Sequence, residues 1–420
     1  MTLVQQPGRA AVAPTMLPRH PSRLLHPWAY RRSVRRELRQ HYQRQQRAWE
    51  VQDVLAGVRP ELIQYGKSNQ ECKTIHVPTV IAADDGPPQA FTIRTLPGQT
   101  LAHYEAHAQT LAECLDVARA RFTKAGRRLL RLELLETDPL LGDVALPLDA
   151  LGSAHGLLLL GVDDNGLRYR ISPADMIHLA VQGATGSGKS VFTYGLISQM
   201  LSSPEVLIAI SDPSGLLTRP FDGTDHAPWQ VSGTSEPEAH VWLLERLVHE
   251  MDTRIRTIPP RRDQVDLGED CRLIEVILEE YPGLLRALDD GKRAGGRVEK
   301  AKRLVGRLIS EGRKAGIRLV ILANRFEAAV VDGFTRDQCT VKVSFRVGNG
   351  DSIAMLHPTG RLEAEAHAAA PAGVALLSGP GVALARIKSP YIGQPEGETA
   401  YAAYWDLVTA RTARLPDSGA

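Results

Sequence analysis

The sequence predicts an α/β protein: a parallel sheet covered by helices on both faces, built around a phosphate-binding loop and preceded by a small α/β domain. Three observations carry that expectation. Short apolar runs at 177–182, 206–210, 273–278, 317–322 and 341–347 are separated by stretches of helical character, the pattern of buried parallel strands with helices between them. Residues 181–191 read VQGATGSGKSV, with Gly183, Gly188, Lys189 and Ser190 in the spacing G-x-x-x-x-G-K-S. Upstream of about 155 the pattern differs, with strands that alternate apolar and charged residues.

From the N-terminus, residues 1–50 read as a basic tail rich in Pro, Arg and Gln. Arg31, Arg32, Arg35, Arg36, Arg39, Arg44 and Arg47 stand against Glu37. A helix from Trp28 to Trp49 would carry basic residues on most sides, suiting it to DNA phosphates or an anionic membrane surface. A solvated tail is the other reading.

Residues 51–150 are expected to form the small α/β domain. Strands at Thr74–Ala82 and Phe91–Leu96 are split by the turn signal Asp85-Gly86-Pro87-Pro88. Leu101–Ala120 is expected as one helix, with Leu101, Tyr104, Leu111, Cys114 and Leu115 near one stripe. Arg128–Glu136 alternates Leu130, Leu132 and Leu134 with Arg131 and Glu133, as a half-buried strand should. His103 and His107 have a metal-compatible spacing on a helix, but no third ligand lies near in sequence, so they read as surface histidines.

Residues 151–390 are expected to form the larger domain and 391–420 a C-terminal helix and tail. Leu157–Val162 and Leu167–Ile171 flank Asp164-Asn165-Gly166, a hairpin turn signal. Ile177–Gln182 feeds the glycine loop and a helix leaves it from Ser190, the context a phosphate cradle needs. Without a Cβ at Gly186 and Gly188, the backbone of Gly183, Ala184, Thr185, Gly186, Ser187, Gly188, Lys189 and Ser190 can close around phosphates. The helix N-terminus adds partial positive charge. Lys189 would reach the β- and γ-phosphates, and Ser190 would offer its hydroxyl to Mg²⁺. ATP or GTP with Mg²⁺ is the expected ligand.

Hydrolysis needs carboxylates as well, and two candidates end apolar strands: Asp212 after 206–211, and the pair Glu279-Glu280 after 273–278. Adjacent acids can divide the two roles, with Glu279 at the metal and Glu280 as general base for the attacking water. Opening the next helix is the bland role for both, and Pro282-Gly283 argues against a regular helix start there.

Bulk composition narrows the class. At 420 residues the chain can hold two or three cores. Its formal charge of +2 excludes a polyelectrolyte, although arginine outnumbers lysine forty to ten within the 50 basic residues. Cys72, Cys114, Cys271 and Cys339 have no paired spacing, which argues against a zinc site or disulfide framework. No apolar run is long enough to cross a bilayer and no secretory leader is visible. A cytoplasmic protein, or one peripheral at the inner face of the membrane, is expected.

The ordered motifs resemble the FtsK/SpoIIIE family of DNA translocases. The run HLAVQGATGSGKSV, His178–Val191, resembles that family's phosphate loop and lead-in strand. SDPSG, Ser211–Gly215, resembles the turn after its second strand, which assigns Asp212 away from catalysis. HEMDTR, His249–Arg254, resembles a helix end. EGRKAGIRLVILANR, Glu311–Arg325, resembles the strand that ends in a sensor residue. VSFRVGNGDS, Val343–Ser352, resembles the strand that follows. The matches run in order across 155–360, about half of the chain.

The resemblance implies a RecA-like P-loop NTPase motor domain. It implies an ATPase assembled as a hexamer around double-stranded DNA, with Asn324 in the sensor position. A head-to-tail ring lets a neighbour supply a cation in trans, and Arg313, Arg325 and Arg346 are the candidates. The sequence departs from the family's pattern at Glu279, where aspartate is usual, at Asn324, where glutamine is usual, and at Phe326, where proline is expected. The end at 420 is expected to leave no room for the family's C-terminal winged-helix module, and N-terminal membrane spans are not expected. TLPGQTLAHYEA, Thr95–Ala106, and ETDPL, Glu136–Leu140, add a resemblance to transfer proteins of actinobacterial conjugative plasmids and integrated elements. That would make membrane-associated transfer proteins the partners.

For DNA contact, Arg286–Lys302 offers Arg286, Lys292, Arg293, Arg297, Lys300 and Lys302, and Arg254–Arg262 offers a second basic stretch. Two other readings keep the nucleotide site. One is an ATP-binding adaptor of a transfer complex with weak hydrolysis. The other is a related ATPase that drives protein secretion.

Overall fold

A computed structural model describes residues 46–412 apart from 49, 56–61, 66–72, 77, 85–87, 148, 150, 165, 290–294, 327–330, 332, 349, 359–366 and 394–397. The chain divides into two compact units at Asp138/Pro139. Most of the helix expected at Trp28–Trp49 lies outside the described residues.

The first unit holds an antiparallel pair, β1 (Leu62–Tyr65) and β2 (Lys73–His76). It also holds a four-stranded antiparallel sheet of β3 (Thr79–Asp84), β4 (Gln89–Arg94), β5 (Arg119–Gly126) and β6 (Leu129–Leu135), in the order β3-β4-β6-β5. Alternation decides its register. Leu130, Leu132 and Leu134 turn inward with Phe91, Ile93, Ala120 and Phe122, against Tyr104, Leu111 and Leu115 from the helical segment. The strand expected at Thr74–Ala82 is two strands, with Pro78, which has no N–H for a ladder, between them. The single helix expected over Leu101–Ala120 is also corrected. Two short helices, Leu101–Glu105 and Ala108–Cys114, are followed by a turn at Asp116 (φ 52°) and by β5. Residues 119–123 alternate half-buried and buried side chains, and pairing with β6 outweighs continuation of the helix.

The second unit is a ten-stranded sheet. Its strands are β7 (Leu158–Asp163), β8 (Arg168–Ile171), β9 (Leu179–Gln182), β10 (Val206–Asp212), β11 (Gln230–Ser232), β12 (Leu273–Leu278), β13 (Ile317–Ala323), β14 (Val341–Phe345), β15 (Val374–Gly379) and β16 (Val382–Lys388). The order is β11-β10-β12-β13-β9-β14-β15-β16-β7-β8. The first six are parallel to one another, and the last four extend the sheet antiparallel. Every residue of β9, β10, β12 and β13 is buried, as strands covered on both faces must be.

One face packs on the helix Lys189–Met200 and the C-terminal helix Ala400–Thr412, through Phe192, Leu196, Ile197, Tyr404 and Val408. The other packs on Pro237–Thr257, Tyr281–Leu288 and Gly295–Glu311, through Leu244, Leu247, Met251, Leu285 and Leu308. The C-terminal helix belongs to this core. Tyr404 stacks on Tyr194 with ring centroids 4.8 Å apart, and its hydroxyl donates to the Leu217 carbonyl at 2.7 Å.

The topology places the site. β9 lies between β13 and β14, with Gln182 level with both Ala323 and Ser344. The loop after β9 therefore leaves one edge of the sheet beside the segments that follow β12, β13 and β14.

Candidate active site

The loop at 183–188 takes backbone conformations that glycine permits. Gly186 has φ 74° and Gly188 φ 107°, both in the left-handed region where a Cβ is strained. Close packing adds a second constraint. A Cβ on Gly188 would lie 2.7 Å from the Gly373 nitrogen, and one on Gly183 2.8 Å from Phe345 Cβ. Neighbouring backbone fixes the loop: Gly183 N–H donates to the Ala323 carbonyl at 3.2 Å and Ala184 N–H to the Arg346 carbonyl at 2.8 Å. Gly373 N–H donates to the Ser187 carbonyl at 2.9 Å. Thr185, Gly186 and Ser190 stay exposed, and Lys189 is 8% exposed.

Four sequence-predicted residues meet at one ammonium. Lys189 Nζ donates to Asn324 Oδ1 at 3.2 Å. It lies 3.5 Å from Glu280 Oε2 and 4.0 Å from Glu279 Oε1. β12 and β13 deliver these groups, since Glu279 and Asn324 are the first residues beyond their ends. Burial pushes the Glu279 carboxyl up to about 7; Asp212 and Glu280 push the same way, against Lys189. Arg286 holds the other Glu280 oxygen at 3.5 Å.

The expectation that Pro282-Gly283 disfavours a helix start is corrected. The helix Tyr281–Leu288 begins directly after Glu280, whose backbone is left-handed at φ 44° and ψ 51°. Proline in the first turn forfeits only an N–H that needs no helical partner.

Asp212 is fully buried and commits its oxygens to the turn that follows. Oδ1 accepts from Ser214 N–H and Oγ, both at 2.7 Å, and Oδ2 accepts from Leu217 N–H at 2.9 Å.

The three arginines divide between the two edges of the sheet. Arg325 and Arg346 follow β13 and β14 on the loop's edge. Arg325 Nε donates to Ser352 Oγ at 3.0 Å, and Arg346 donates to the Ala370 carbonyl at 3.3 Å. Arg313 precedes β13, a strand of seven residues, and so lies about 20 Å away at the opposite edge. There it lines a cavity of about 330 Å³ with Arg318, Asp175 and Asp266.

The basic stretches are largely engaged in ion pairs. Arg297 pairs with Glu238 and Lys300 with Glu245, each at 2.6 Å, and Lys302 lies 3.5 Å from Glu299. Lys292 and Arg293 lie outside the described residues. Arg254 holds Glu250 at 2.7 Å and the Arg272 and Ala315 carbonyls at 2.8 and 3.1 Å.

Sequence reasoning missed two parts of the site. One is the 371–374 segment laid against Gly188, which no local motif marks. The other is Gln182, fully buried at the end of β9. Its signal was present: a lone amide closing an apolar run must find buried partners.

Comparison with known proteins places this arrangement. The FtsK/SpoIIIE family profile matches residues 152–266, which hold the loop and Asp212. The chain is 28% identical over 255 residues to the DNA translocase FtsK of Mycobacterium leprae, covering 56% of this chain and 30% of that one. It is 28% identical over 223 residues to the Staphylococcus aureus DNA translocase FtsK, covering 49% and 27%. The match thus spans under a third of these relatives' length. Among solved structures, the pCW3 conjugation coupling protein TcpA, in a monomer form with ATPγS, superposes with a TM-score of 0.50 at 17% identity. That superposition covers 75% of this chain and 89% of TcpA. Residues 152–266 therefore match the FtsK/SpoIIIE family, and the chain shares the α/β fold of that coupling protein.

Proposed function

We propose that the protein is an ATP-driven translocase of double-stranded DNA, acting in conjugative transfer or in plasmid or chromosome movement. The observation that carries the reading is the convergence on Lys189. A phosphate-loop lysine, a strand-end amide and two adjacent acids share one point, where a γ-phosphate would have to be bound, sensed and cleaved.

The residues present fit ATP with Mg²⁺. Among the described residues no cluster of three or more His, Cys, Asp or Glu side chains could hold a metal alone. The set on offer is the exposed Ser190 hydroxyl, the Glu279 carboxyl and the nucleotide's own oxygens, an all-oxygen set suited to Mg²⁺. When bound, Mg²⁺ supplies charge neutralisation at the phosphates. Lys189 exchanges Asn324 and the acids for the β- and γ-phosphates. Asn324, so released, hydrogen-bonds the γ-phosphate. Glu280 accepts a proton from the attacking water, and the N–H groups of 185–190, apart from that of Ser187, which goes to the Ala184 carbonyl, hold the phosphate oxygens.

Completion in trans calls for a ring, proposed here as a hexamer, in which Arg313, Arg325 or Arg346 of one copy serves its neighbour. Arg313 fits a trans role by its distance from the loop of its own chain. Duplex DNA would be held through its phosphates, since a motor must grip any sequence and release it. Membrane-associated transfer proteins would dock the ring at the inner face of the membrane.

A second reading has its own support. Glu279 stands where the family's pattern has aspartate and Asn324 where it has glutamine, so each side chain differs in reach by one methylene. An adaptor that binds ATP and turns it over slowly would show that trait. ATP hydrolysis with and without duplex DNA, combined with displacement of a third strand from a DNA triplex, separates the readings. A motor hydrolyses faster on DNA and displaces the strand. An adaptor binds ATP without either. A secretion ATPase ignores DNA.

A further inference from the structure

Gln182, the residue immediately before the loop, is fully buried in the strand Leu179–Gln182. A leucine or methionine would fill that space equally well, so the amide is there for its hydrogen bonds. Nε2 donates to Ser344 Oγ at 2.8 Å and to the Ser352 carbonyl at 3.0 Å, and Oε1 accepts from Phe326 N–H at 3.3 Å. The three partners sit on β14, on the helix Gly350–Leu356 and on the segment that follows β13. That segment is fastened at each residue: Asn324 to Lys189, Arg325 to Ser352 Oγ and Phe326 to Gln182. The network continues inward, since Ser344 Oγ bonds His357 Nε2 at 2.9 Å and His357 Nδ1 bonds Ser378 Oγ at 2.8 Å. Burial holds the His357 imidazole down at about 3, so these bonds are made by the neutral ring.

We propose that Gln182 is a positioning residue. It ties the Asn324–Phe326 segment and the helix Gly350–Leu356 to the phosphate loop, so that what Lys189 holds is transmitted to Arg325 and to that helix. The inference rests on the nucleotide-site reading above. When phosphate draws Lys189 away from Asn324, the segment has one anchor fewer. Gln182 and Ser352 then set where Arg325 goes. Buried, satisfied networks of this kind fix one arrangement among several that apolar packing would allow.

Hydrogen exchange of the full chain with and without ATPγS tests this. In the wild-type protein the analogue slows exchange both in the loop 183–190 and in the helix 350–356. In Gln182→Met, which keeps volume and loses every bond, the loop response persists with ATPγS affinity within about twofold, and the helix response disappears. The kcat for ATP falls about tenfold or more while KM holds, as for misplacement of a group away from the binding contacts. Ser344→Ala removes one acceptor of the Gln182 amide and leaves the other two bonds, and gives an intermediate response that keeps the inference testable if the first variant fails to fold. An unchanged helix response and kcat in Gln182→Met, or a wild-type helix indifferent to ATPγS beside a protected loop, overturns the inference alone. A wild-type loop that ATPγS does not protect overturns the nucleotide reading and this inference with it.

Discussion

Lys189 is the residue on which the site turns, because its ammonium is shared by Asn324, Glu279 and Glu280. Removing it takes from the site the ammonium that lies beside both acids. Lys189→Ala is expected to weaken ATP binding by at least about tenfold, measured by titration with a fluorescent analogue. The two acids separate by a paired experiment. Glu280→Gln should bind ATP and lose at least about 100-fold in turnover, whereas Glu279→Gln should lose turnover together with the Mg²⁺ dependence of binding. If Glu279→Gln alone binds normally and stalls, the roles are exchanged. Which residues would meet at Lys189 was legible in sequence, the loop and the acid pair from their spacing and Asn324 through the family resemblance. The buried network of Gln182 was not. Its partners, Ser344, Ser352 and Phe326, lie more than a hundred residues away in the chain, and only the sheet order brings them together.

At the scale of elements, the phosphate loop depends on neighbours far along the chain. Gly188 opens the helix Lys189–Met200 in a left-handed conformation and leaves no room for a side chain against Gly373. Gly188→Ala is expected to cost about 2 kcal/mol or more, read as a drop in Tm, and to weaken ATP binding. The C-terminal helix braces the same element. Tyr404→Phe removes the hydrogen bond to the Leu217 carbonyl and should cost about 1 kcal/mol in chemical denaturation. The strands were legible because apolar runs such as Val206–Ile210 are too short for a helix and rich in β-branched residues. The segment Leu101–Ala120 misled because its helical stripe ends where Ala120 and Phe122 are claimed by pairing with β6, a contact that local periodicity does not record. The helix at Tyr281 misled because proline was weighed as a breaker, although its place in the first turn is a permitted one.

Over the whole molecule, burial sets how stability responds to pH. His178, His226 and His367 are held down at about 4 and His357 at about 3, each by burial first. A histidine with a folded pKa below its unfolded 6.5 contributes stability above that value and loses it as pH falls. Glu275 acts oppositely. Burial raises it from 4.5 to about 8, and Arg318 opposes the shift, so it remains protonated when folded while the unfolded chain ionises. Stability then falls as pH rises from 4.5 to 8. Each group contributes a slope of up to about 1.4 kcal/mol per pH unit. Below 6.5 four histidines outweigh Glu275 and Glu279; between 6.5 and 8 Glu275 dominates. Thermal unfolding should therefore show maximal stability near pH 6.5, with a steep acid limb. Glu275→Gln should flatten the limb between 6.5 and 8 and leave the acid limb in place.

The whole molecule is also the scale at which the proposed motor is tested. Steady-state ATP hydrolysis by the purified chain, with and without linear duplex DNA, tests most directly whether the Lys189 site powers movement along DNA. The expected result is turnover that rises about tenfold or more on duplex and is lost in Lys189→Ala and Glu280→Gln. A wild-type protein that leaves ATP intact whether or not duplex is present would contradict it.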